Sequence, residues 1–454
     1  MFNFDAIIIG GGPAGSKCAL ELAKVGKKVA LIEKDAIGGV CLNRGCIPSK
    51  SYLYFVELLE NIKKAKRHGI NVAEPEIIWE EVKKRKDMNV RMLGLGLKKT
   101  LETAGVEIIT GMGNLISVHE VEIKSATETK ILSAQNIILA MGTESLFIPI
   151  MPKGENVISS TEILDLANIP KSLVIIGGGV TGVEMASVFS VLGTEVTIIE
   201  KLASLLPAQD KEITAQLKKS LEKKGCKIFL STEVLSCKDK DNQAEVIYKN
   251  GEEQQTILVD KALVVIGRKN NLDLTKLAEL GIENDGPRIN LNENLQTTQN
   301  NIYVIGDLAG RNLTAYGGER EGECVAKHIL GKLKQINYTQ IPSTVFSHPE
   351  VGQIGMTEEE AVKQGIEYEV RKSDYAANGK AIIMSEREGM VKIIINKQNQ
   401  KILGVHIIGY GATDLIHQAI IPVNQGLTVE EWLEMIWSHP VLSEVIKSAL
   451  ESIS

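Results

Sequence analysis

Two of the six cysteines, Cys41 and Cys46, lie five positions apart in the segment GGVCLNRGCIPSK, residues 38–50. On a regular helix such residues point about 140° apart, so their sulfur atoms could join only where the backbone is irregular. We expect Gly45 and Pro48 to supply that irregularity. Two buried thiols or half of a zinc site are the alternatives, but zinc would need further Cys or His ligands at short spacing, and the chain has no second cysteine cluster. The segment therefore favours a redox-active pair and no metal site.

The other four cysteines are isolated on helical or strand-like stretches, a pattern typical of small buried hydrophobic side chains. They are Cys18, Cys226, Cys237 and Cys324. Six cysteines in 454 residues are too few for a secreted, disulfide-stabilised scaffold. We therefore expect any disulfide to be reactive, in a cytoplasmic protein.

The composition indicates a folded globular protein, with 44% hydrophobic and 24% charged residues. A length of 454 residues predicts two to four domains. The formal net charge of −6 comes without a long run of one sign, so neither nucleic acid nor an anionic membrane is an expected partner. From the start MFNFDAIIIGGGPAG, which lacks basic residues before its short apolar run, we expect no leader, and no stretch approaches the ~18 apolar residues of a membrane span.

Two segments, 167 positions apart, share the pattern of a dinucleotide-binding βαβ unit, in which a buried strand leads through G-x-G-x-x-G into a helix. The first glycine permits a tight turn, the second leaves room for a pyrophosphate, and the third lets helix and strand approach. The helix start then offers N–H donors to the phosphates. The pattern comprises Gly10, Gly12, Gly15 and the strand-ending Glu33 in the first copy, and Gly177, Gly179, Gly182 and Glu200 in the second.

Each strand-ending glutamate is predicted to accept hydrogen bonds from an adenosine ribose. Because a carboxylate repels a 2′-phosphate, we expect Glu200 to favour NAD over NADP. Two dinucleotide sites imply two cofactors, and a flavin paired with a nicotinamide would exchange hydride. The cysteine pair would be a third electron carrier. In the first copy the helix is expected to bury Cys18, Leu22 and Val25.

Several segments, in order along nearly the whole chain, resemble those of the flavoprotein disulfide reductases, the class I pyridine nucleotide-disulfide oxidoreductases. Among these the resemblance is greatest to the dihydrolipoyl dehydrogenases. Besides GGVCLNRGCIPSK and the two glycine patterns, the resembling segments are TTQNNIYVIGD (297–307), STVFSHPEVGQIGMTEEEA (343–361) and SHPVLSE (438–444).

The resemblance implies an α/β fold with two Rossmann-like dinucleotide-binding domains, for FAD and NAD, and a C-terminal α+β dimerisation domain. Helical spacing over 52–103 interrupts the first domain, and strand-like runs at 262–268 and 301–310 are expected to return to it. The expected parts are 1–145 (FAD, first part), 146–265 (NAD), 266–336 (return to the FAD and central region) and 337–454 (dimerisation).

The same resemblance implies roles for individual residues. Cys41 would exchange with a dithiol substrate and Cys46 would face the flavin. His439 would accept the substrate proton, oriented by Glu444, and would reach the disulfide of the other subunit of a homodimer. Further cofactor-binding positions implied here are Lys50, Gly142 and Asp307 for FAD, and Glu184 and Gly267 for NAD, with Lys50 and Glu184 forming an ion pair beside the flavin. His348 is expected to be structural.

The implied activity is oxidation of protein-bound dihydrolipoamide, with FAD and NAD as cofactors and a lipoyl-bearing protein of a 2-oxoacid dehydrogenase complex or the glycine cleavage system as partner. A glutathione-reductase-like disulfide reductase, or a mainly structural docking subunit, are the alternatives. Some positions depart from the family's usual residues and bear on substrate choice and flavin potential: Met141, Tyr316, Gly317, Trp437 and Val441.

Overall fold

The computed structural model describes residues 2–272, 274–332 and 335–452. By internal contacts the chain divides into two compact units, one built from 1–51, 80–146 and 267–338, the other from 52–79, 147–266 and 339–454. Each unit is assembled from separate stretches of chain.

The strands in chain order are β1 (Phe4–Ile9), β2 (Val29–Glu33), β3 (Glu107–Thr110), β4 (Met112–Ser117), β5 (Glu120–Lys124), β6 (Thr129–Leu139), β7 (Thr143–Ser145), β8 (Val157–Ile158), β9 (Ser172–Ile176), β10 (Glu195–Ile199), β11 (Lys227–Phe229), β12 (Glu233–Lys240), β13 (Gln243–Asn250), β14 (Glu253–Val259), β15 (Lys261–Val264), β16 (Arg268–Asn270), β17 (Asn284–Asp285), β18 (Arg288–Ile289), β19 (Ile302–Val304), β20 (Ser343–Val345), β21 (Glu350–Gly355), β22 (Tyr368–Asp374), β23 (Gly389–Asn396) and β24 (Ile402–Gly409).

The α-helices in chain order are α1 (Pro13–Ala23), α2 (Gly39–Arg44), α3 (Cys46–Lys64), α4 (Trp79–Thr103), α5 (Val180–Val191), α6 (Lys211–Lys223), α7 (Leu274–Glu279), α8 (Ala315–Ile329), α9 (Glu358–Lys363), α10 (Gly379–Met384), α11 (Ala412–Leu415), α12 (Ile420–Gln425), α13 (Val429–Leu433) and α14 (Glu444–Glu451).

The sheet of the first unit has the order β3-β2-β1-β6-β5-β4, with β19 paired to β6. Strands β3, β2, β1, β6 and β19 run parallel, as the βαβ pattern predicts, and their buried aliphatic side chains form the core. Helices α1 and α8 pack closely, because an added Cβ at Gly322 would lie 2.4 Å from the Ala14 carbonyl oxygen. The predicted return of 301–310 to the first sheet is confirmed.

The second unit contains a parallel sheet, β11-β10-β9-β15-β8, beside an antiparallel sheet, β12-β13-β14. Strand β15 pairs with β9, with Ala262 opposite Val174. The expectation that 262–268 returns to the first sheet is therefore wrong for the strand itself. Its buried run continues the second βαβ sheet, and only the residues from Gly267 onward belong to the first unit.

The C-terminal part of the second unit is an antiparallel sheet, β20-β21-β24-β23-β22, covered by short helices. Strands β23 and β24 are buried almost throughout, and α14 packs its Val445 and Ile446 into the same core as Trp432. This is the predicted α+β architecture.

The first glycine-loop helix differs from expectation at one residue. Cys18 and Leu22 are fully buried, but Val25 is 54% exposed. Helix α1 ends at Ala23, so the chain has already turned away from the helical face when it reaches Val25. Across the described residues, none of the helices has the length and apolar character that spanning a lipid bilayer requires.

Candidate active site and cofactor loops

The cysteine segment folds as two helices separated by Gly45. Cys41 lies in α2 and Cys46 is the first residue of α3. The backbone of Gly45, with φ −144° and ψ −102°, is neither helical nor extended and breaks the helical path, and the two sulfur atoms form a disulfide with the Cα atoms 4.6 Å apart. Pro48 supplies no break, because it occupies the first turn of α3, where proline is tolerated. Both cysteines are half-buried.

The first glycine loop has the geometry of a phosphate cradle. Gly12 caps α1 in an extended conformation, and an added Cβ would have no atom within 4 Å, so the loop leaves open space above the helix start. Gly15 has no such freedom, since its Cβ would lie 2.0 Å from the carbonyl oxygen of Gly10. The Glu33 carboxylate accepts a hydrogen bond from the N–H of Gly11 at 2.7 Å, which ties the end of β2 to the loop.

The second glycine loop repeats these contacts. Gly179 caps α5 with open space at its Cβ position, and the Cβ of Gly182 would lie 2.1 Å from the carbonyl oxygen of Gly177. Glu200 accepts hydrogen bonds from the N–H groups of Gly178, at 2.5 Å, and Leu202, at 2.6 Å. The sequence pattern did not predict these backbone contacts. They fix the position of the Glu200 carboxylate before any ribose binds.

Asp307 lies in a polar cluster of the first unit. Its Oδ2 accepts a hydrogen bond from the Thr143 hydroxyl at 3.0 Å and lies 3.6 Å from the Arg268 Nε. Arg268 also donates to the Thr143 hydroxyl oxygen and carbonyl, at 2.6 and 2.7 Å. Within the described residues no donor reaches Oδ1, so that oxygen can accept from a ligand hydroxyl. Sequence reasoning missed Thr143 and Arg268, whose only signal was their position next to Gly142 and Gly267.

The remaining predicted cofactor positions are two glycines next to short strands and two charged residues on helices. Gly142 and Gly267 both have positive φ, +64° and +145°, and lie at the ends of the antiparallel pair β7-β16. Lys50 is half-buried on α3. Glu184, buried on α5, accepts a hydrogen bond from the N–H of Phe346 at 3.1 Å. The predicted pairing of Lys50 with Glu184 stays a prediction.

His439 and Glu444 form the predicted pair. The Nδ1 of His439 lies 3.0 and 3.2 Å from the two carboxylate oxygens of Glu444, the first residue of α14. The N–H of Val441 also donates to Glu444, and this bond, followed by that of His439, lowers the pKa of the carboxyl. The His439 side chain is 77% exposed, so its Nε2 edge is open to a reactant.

His348 contacts helices α3 and α5, and its backbone N–H donates to the Ser187 hydroxyl on α5 at 3.1 Å. Its Nε2 lies 2.5 Å from the Glu60 carboxylate on α3. Trp437 packs against the C-terminal core, and its ring is tilted against that of Trp432, with ring centroids 6.3 Å apart. The residues described contain no group of three or more His, Cys, Asp or Glu side chains arranged to hold a metal ion.

Residues 4–322 match the family model described as pyridine nucleotide-disulphide oxidoreductase, and residues 341–450 match the dimerisation domain of the same family. The chain therefore belongs to the pyridine nucleotide-disulphide oxidoreductases. Its dimerisation domain indicates a homodimer. The parallel βαβ sheets and the antiparallel C-terminal sheet agree with the fold predicted from the sequence.

Individual relatives narrow the class further. Dihydrolipoyl dehydrogenase 2, mitochondrial, from Arabidopsis thaliana is 36% identical over 98% of this chain and 89% of its own length. Dihydrolipoyl dehydrogenase from Chlamydia pneumoniae is 35% identical over 98% of this chain and 95% of its own. The HOCl-induced flavoprotein disulfide reductase RclA from Escherichia coli, solved as a Cu(II) complex, is similar in structure with a TM-score of 0.89, at 28% identity and 99% coverage of both chains.

FAD and NAD are the cofactors of this class, and the residues present fit them. Each loop offers a helix start whose glycine cap makes no side-chain hydrogen bond, open space at the second glycine and a carboxylate held beside it. The first unit adds an acceptor, Asp307 Oδ1, suited to a ribityl hydroxyl. The chemistry that bound FAD and NAD supply is the removal of two electrons as hydride.

Proposed function

We propose that this chain is a dihydrolipoyl dehydrogenase, which oxidises protein-bound dihydrolipoamide and passes the electrons through FAD to NAD⁺. The observation that carries the proposal is the Cys41–Cys46 disulfide at the start of α3, in a chain that also has two dinucleotide loops and the His439–Glu444 pair. Full-length relatives with this activity in their names support it.

In the proposed reaction His439 takes a proton from one thiol of the substrate. The resulting thiolate attacks the Cys41 sulfur, so a mixed disulfide forms, the Cys41–Cys46 bond breaks and Cys46 leaves as a thiolate. The second substrate thiol then attacks the mixed disulfide, which closes the lipoyl disulfide and releases Cys41. The two electrons of the dithiol now reside on the cysteine pair.

The positions of the two cysteines suit this division of roles. Cys46 begins α3, where the N–H groups of the first turn and the positive end of the helix dipole stabilise a thiolate. Gly45 separates the two helices, so Cys41 can change partners while Cys46 stays fixed on the longer helix.

Glu444 prepares His439 for proton transfer. Its carboxylate, whose pKa is lowered, faces Nδ1 and holds the proton there, which leaves Nε2 as the base. In the proposed homodimer this histidine serves the disulfide of the partner subunit, so each active site needs both chains.

The proposal extends to partners and location. The lipoyl substrate is carried by another protein, of a 2-oxoacid dehydrogenase complex or the glycine cleavage system, and Glu200 makes NAD the preferred nucleotide. FAD is assigned to 1–145 and 266–336, NAD to 146–265 and dimerisation to 337–454. A cytoplasmic location is proposed because six cysteines in 454 residues are too few for a secreted, disulfide-stabilised scaffold.

The decisive variant is Cys46→Ser, assayed anaerobically in the purified flavoprotein. It is expected to abolish dihydrolipoamide:NAD⁺ turnover, while NADH still reduces the flavin, followed by its absorbance. His439→Gln should lower turnover by about 10³-fold or more, since it removes the base, whereas His417→Gln serves as an exposed matched control. Full turnover by Cys46→Ser would refute the route.

A parallel assay separates the alternatives. Glutathione disulfide with NADPH should give little activity compared with dihydrolipoamide and NAD⁺. A preference for glutathione disulfide would make the chain a different disulfide reductase, and the absence of both activities from the parent flavoprotein would point to a docking role.

A further inference from the structure

Glu321 is a charged side chain with no exposed surface, on the face of α8 that is turned into the first unit. Its Oε2 accepts a hydrogen bond from the N–H of Gly306 at 2.6 Å, and its Oε1 accepts one from the Tyr338 hydroxyl at 2.8 Å. Both carboxyl oxygens are thus satisfied by donors that are themselves neutral.

The first of these donors lies in the turn that precedes Asp307. Gly306 adopts φ +70°, a left-handed conformation, and begins a short 3₁₀ segment, Gly306–Ala309. An added Cβ at Gly306 would lie 3.1 Å from the Cβ of Ala14, near the start of α1. The turn therefore touches the helix of the first glycine loop on one side and the Glu321 carboxyl on another.

Three charged or titratable groups face Glu321: Asp307, Arg311 and Tyr338. Burial raises the pKa of Glu321 to about 7, opposed by the hydrogen bonds of Tyr338 and Gly306 and by Arg311, and assisted by the charge of Asp307. Burying a carboxyl group costs free energy of folding. The hydrogen bond that Glu321 accepts from the Gly306 N–H therefore suggests a function for this residue.

We propose that Glu321 is a positioning residue for FAD: by holding the Gly306 N–H it fixes the turn that aims the Asp307 carboxylate at the ribityl chain. The inference rests on the proposed assignment of Asp307 to FAD. It adds a residue 14 positions further along the chain, which contacts no cofactor itself and acts only through the backbone of Gly306.

Two conservative variants separate the hydrogen bond from the charge. Glu321→Gln loses the charge, but its amide oxygen still accepts from Gly306 and its NH₂ group donates to the Tyr338 oxygen. Glu321→Asp keeps the charge, but its side chain is one methylene shorter, so it loses reach to Gly306. Glu319, exposed on the same helix, provides the matched control variants Glu319→Gln and Glu319→Asp.

The test is the dissociation constant of FAD, measured on the holoprotein by release and rebinding of flavin and followed by flavin fluorescence. Glu321→Asp is expected to weaken FAD binding about tenfold or more. Glu321→Gln should stay within about threefold of the parent, as should both Glu319 variants. The flavin absorbance maximum should shift in the Asp variant only.

The outcomes are distinct. Parent-like FAD binding by Glu321→Asp overturns the inference, as does an equal loss in Glu321→Gln, which would assign the effect to charge or packing. Asp307→Asn is measured alongside. If it loses FAD while Glu321→Asp does not, only the inference fails; if Asp307→Asn binds FAD like the parent, the assignment of Asp307 fails and the inference with it.

Discussion

The two compact units share the geometry of their glycine loops but differ in the surroundings of a glutamate elsewhere in each unit. In both, an N–H of the glycine loop donates to the glutamate that ends the next strand, Gly11 to Glu33 and Gly178 to Glu200. The two matching segments are separated by 167 positions in the sequence. A pyrophosphate requires the same close backbone approach wherever it binds, so the local geometry recurs.

The units differ in how they hold a glutamate outside the loops, fully buried in the case of Glu321 and half-buried in the case of Glu60. Glu321 in the first unit meets neutral donors, and burial raises its pKa to about 7. Burial also raises the pKa of Glu60 in the second unit. Its hydrogen bond and charge interaction with His348, together with Lys224 at 2.8 Å, outweigh this effect and lower the pKa to about 2. The identity of the partners, rather than the depth of burial, decides the sign.

The largest expected effect comes from filling the open space in each loop. The φ angles of Gly12 and Gly179, −70° and −74°, suit other residues, and an added Cβ would meet no atom within 4 Å, so Gly12→Val and Gly179→Val should both fold. Gly12→Val is expected to lose FAD, seen as loss of flavin absorbance per protein. Gly179→Val should keep FAD and raise KM for NAD⁺ by about 10–100-fold, because the side chain occupies the pyrophosphate position.

If Gly12→Val and Gly179→Val had the same effect on flavin content, the proposed difference between the two loops would be wrong. Loss of FAD from Gly179→Val, or a normal flavin content in Gly12→Val, would show that the two loops are not assigned to separate cofactors as proposed. Gly182→Ala is a useful contrast, since its Cβ would lie 2.1 Å from a carbonyl oxygen and should damage folding instead.

A smaller effect is expected at the strand-ending glutamates. Glu200→Gln keeps an acceptor for the Gly178 N–H but removes the charge that repels a 2′-phosphate. The ratio of kcat/KM for NADH to that for NADPH should fall by about tenfold. Glu33→Gln, the same change in the other loop, should leave this ratio unaltered; a fall there would mean that the nicotinamide nucleotide uses the first loop.

The sequence allowed prediction of features that depend on neighbours along the chain. The glycine loops, the parallel sheets and the break at Gly45 follow from local rules. Three expectations were wrong. Val25 lies beyond the end of α1 and Pro48 lies in the first turn of α3, so both depend on where a helix ends or begins. Only β15 is decided by distant packing, through its pairing with β9 in the second sheet.

The polar contacts around the proposed flavin site could not be predicted from local sequence patterns, because the partners are distant along the chain. Arg268 meets Thr143 across 125 positions, and Thr143 meets Asp307 across 164. Nothing in the local pattern of a lone Thr or Arg specifies such a partner. By contrast, His439 and Glu444 are five positions apart and could be paired from the motif.

The smallest expected effect concerns the buried Glu321 and the half-buried Glu60. For Glu60, with a lowered pKa, the stability gained by ionisation is complete above pH 4.5 and is lost as the pH falls towards 2. For Glu321, with a raised pKa, stability is lost as the pH rises from about 4.5 to about 7. A pKa that differs by about 2.5 from its ordinary value corresponds to at most about 3.4 kcal/mol.

Glutamine mimics the protonated acid at either position, so thermal unfolding against pH distinguishes the two. Glu321→Gln should match the parent near pH 5 and exceed its Tm by a few °C at pH 8. Glu60→Gln should already lie below the parent at pH 5, and the gap should narrow only under more acidic conditions. A Glu60→Gln variant as stable as the parent at pH 5 would mean that His348 and Lys224 do not offset the burial of this carboxylate, and the contrast between the units would disappear.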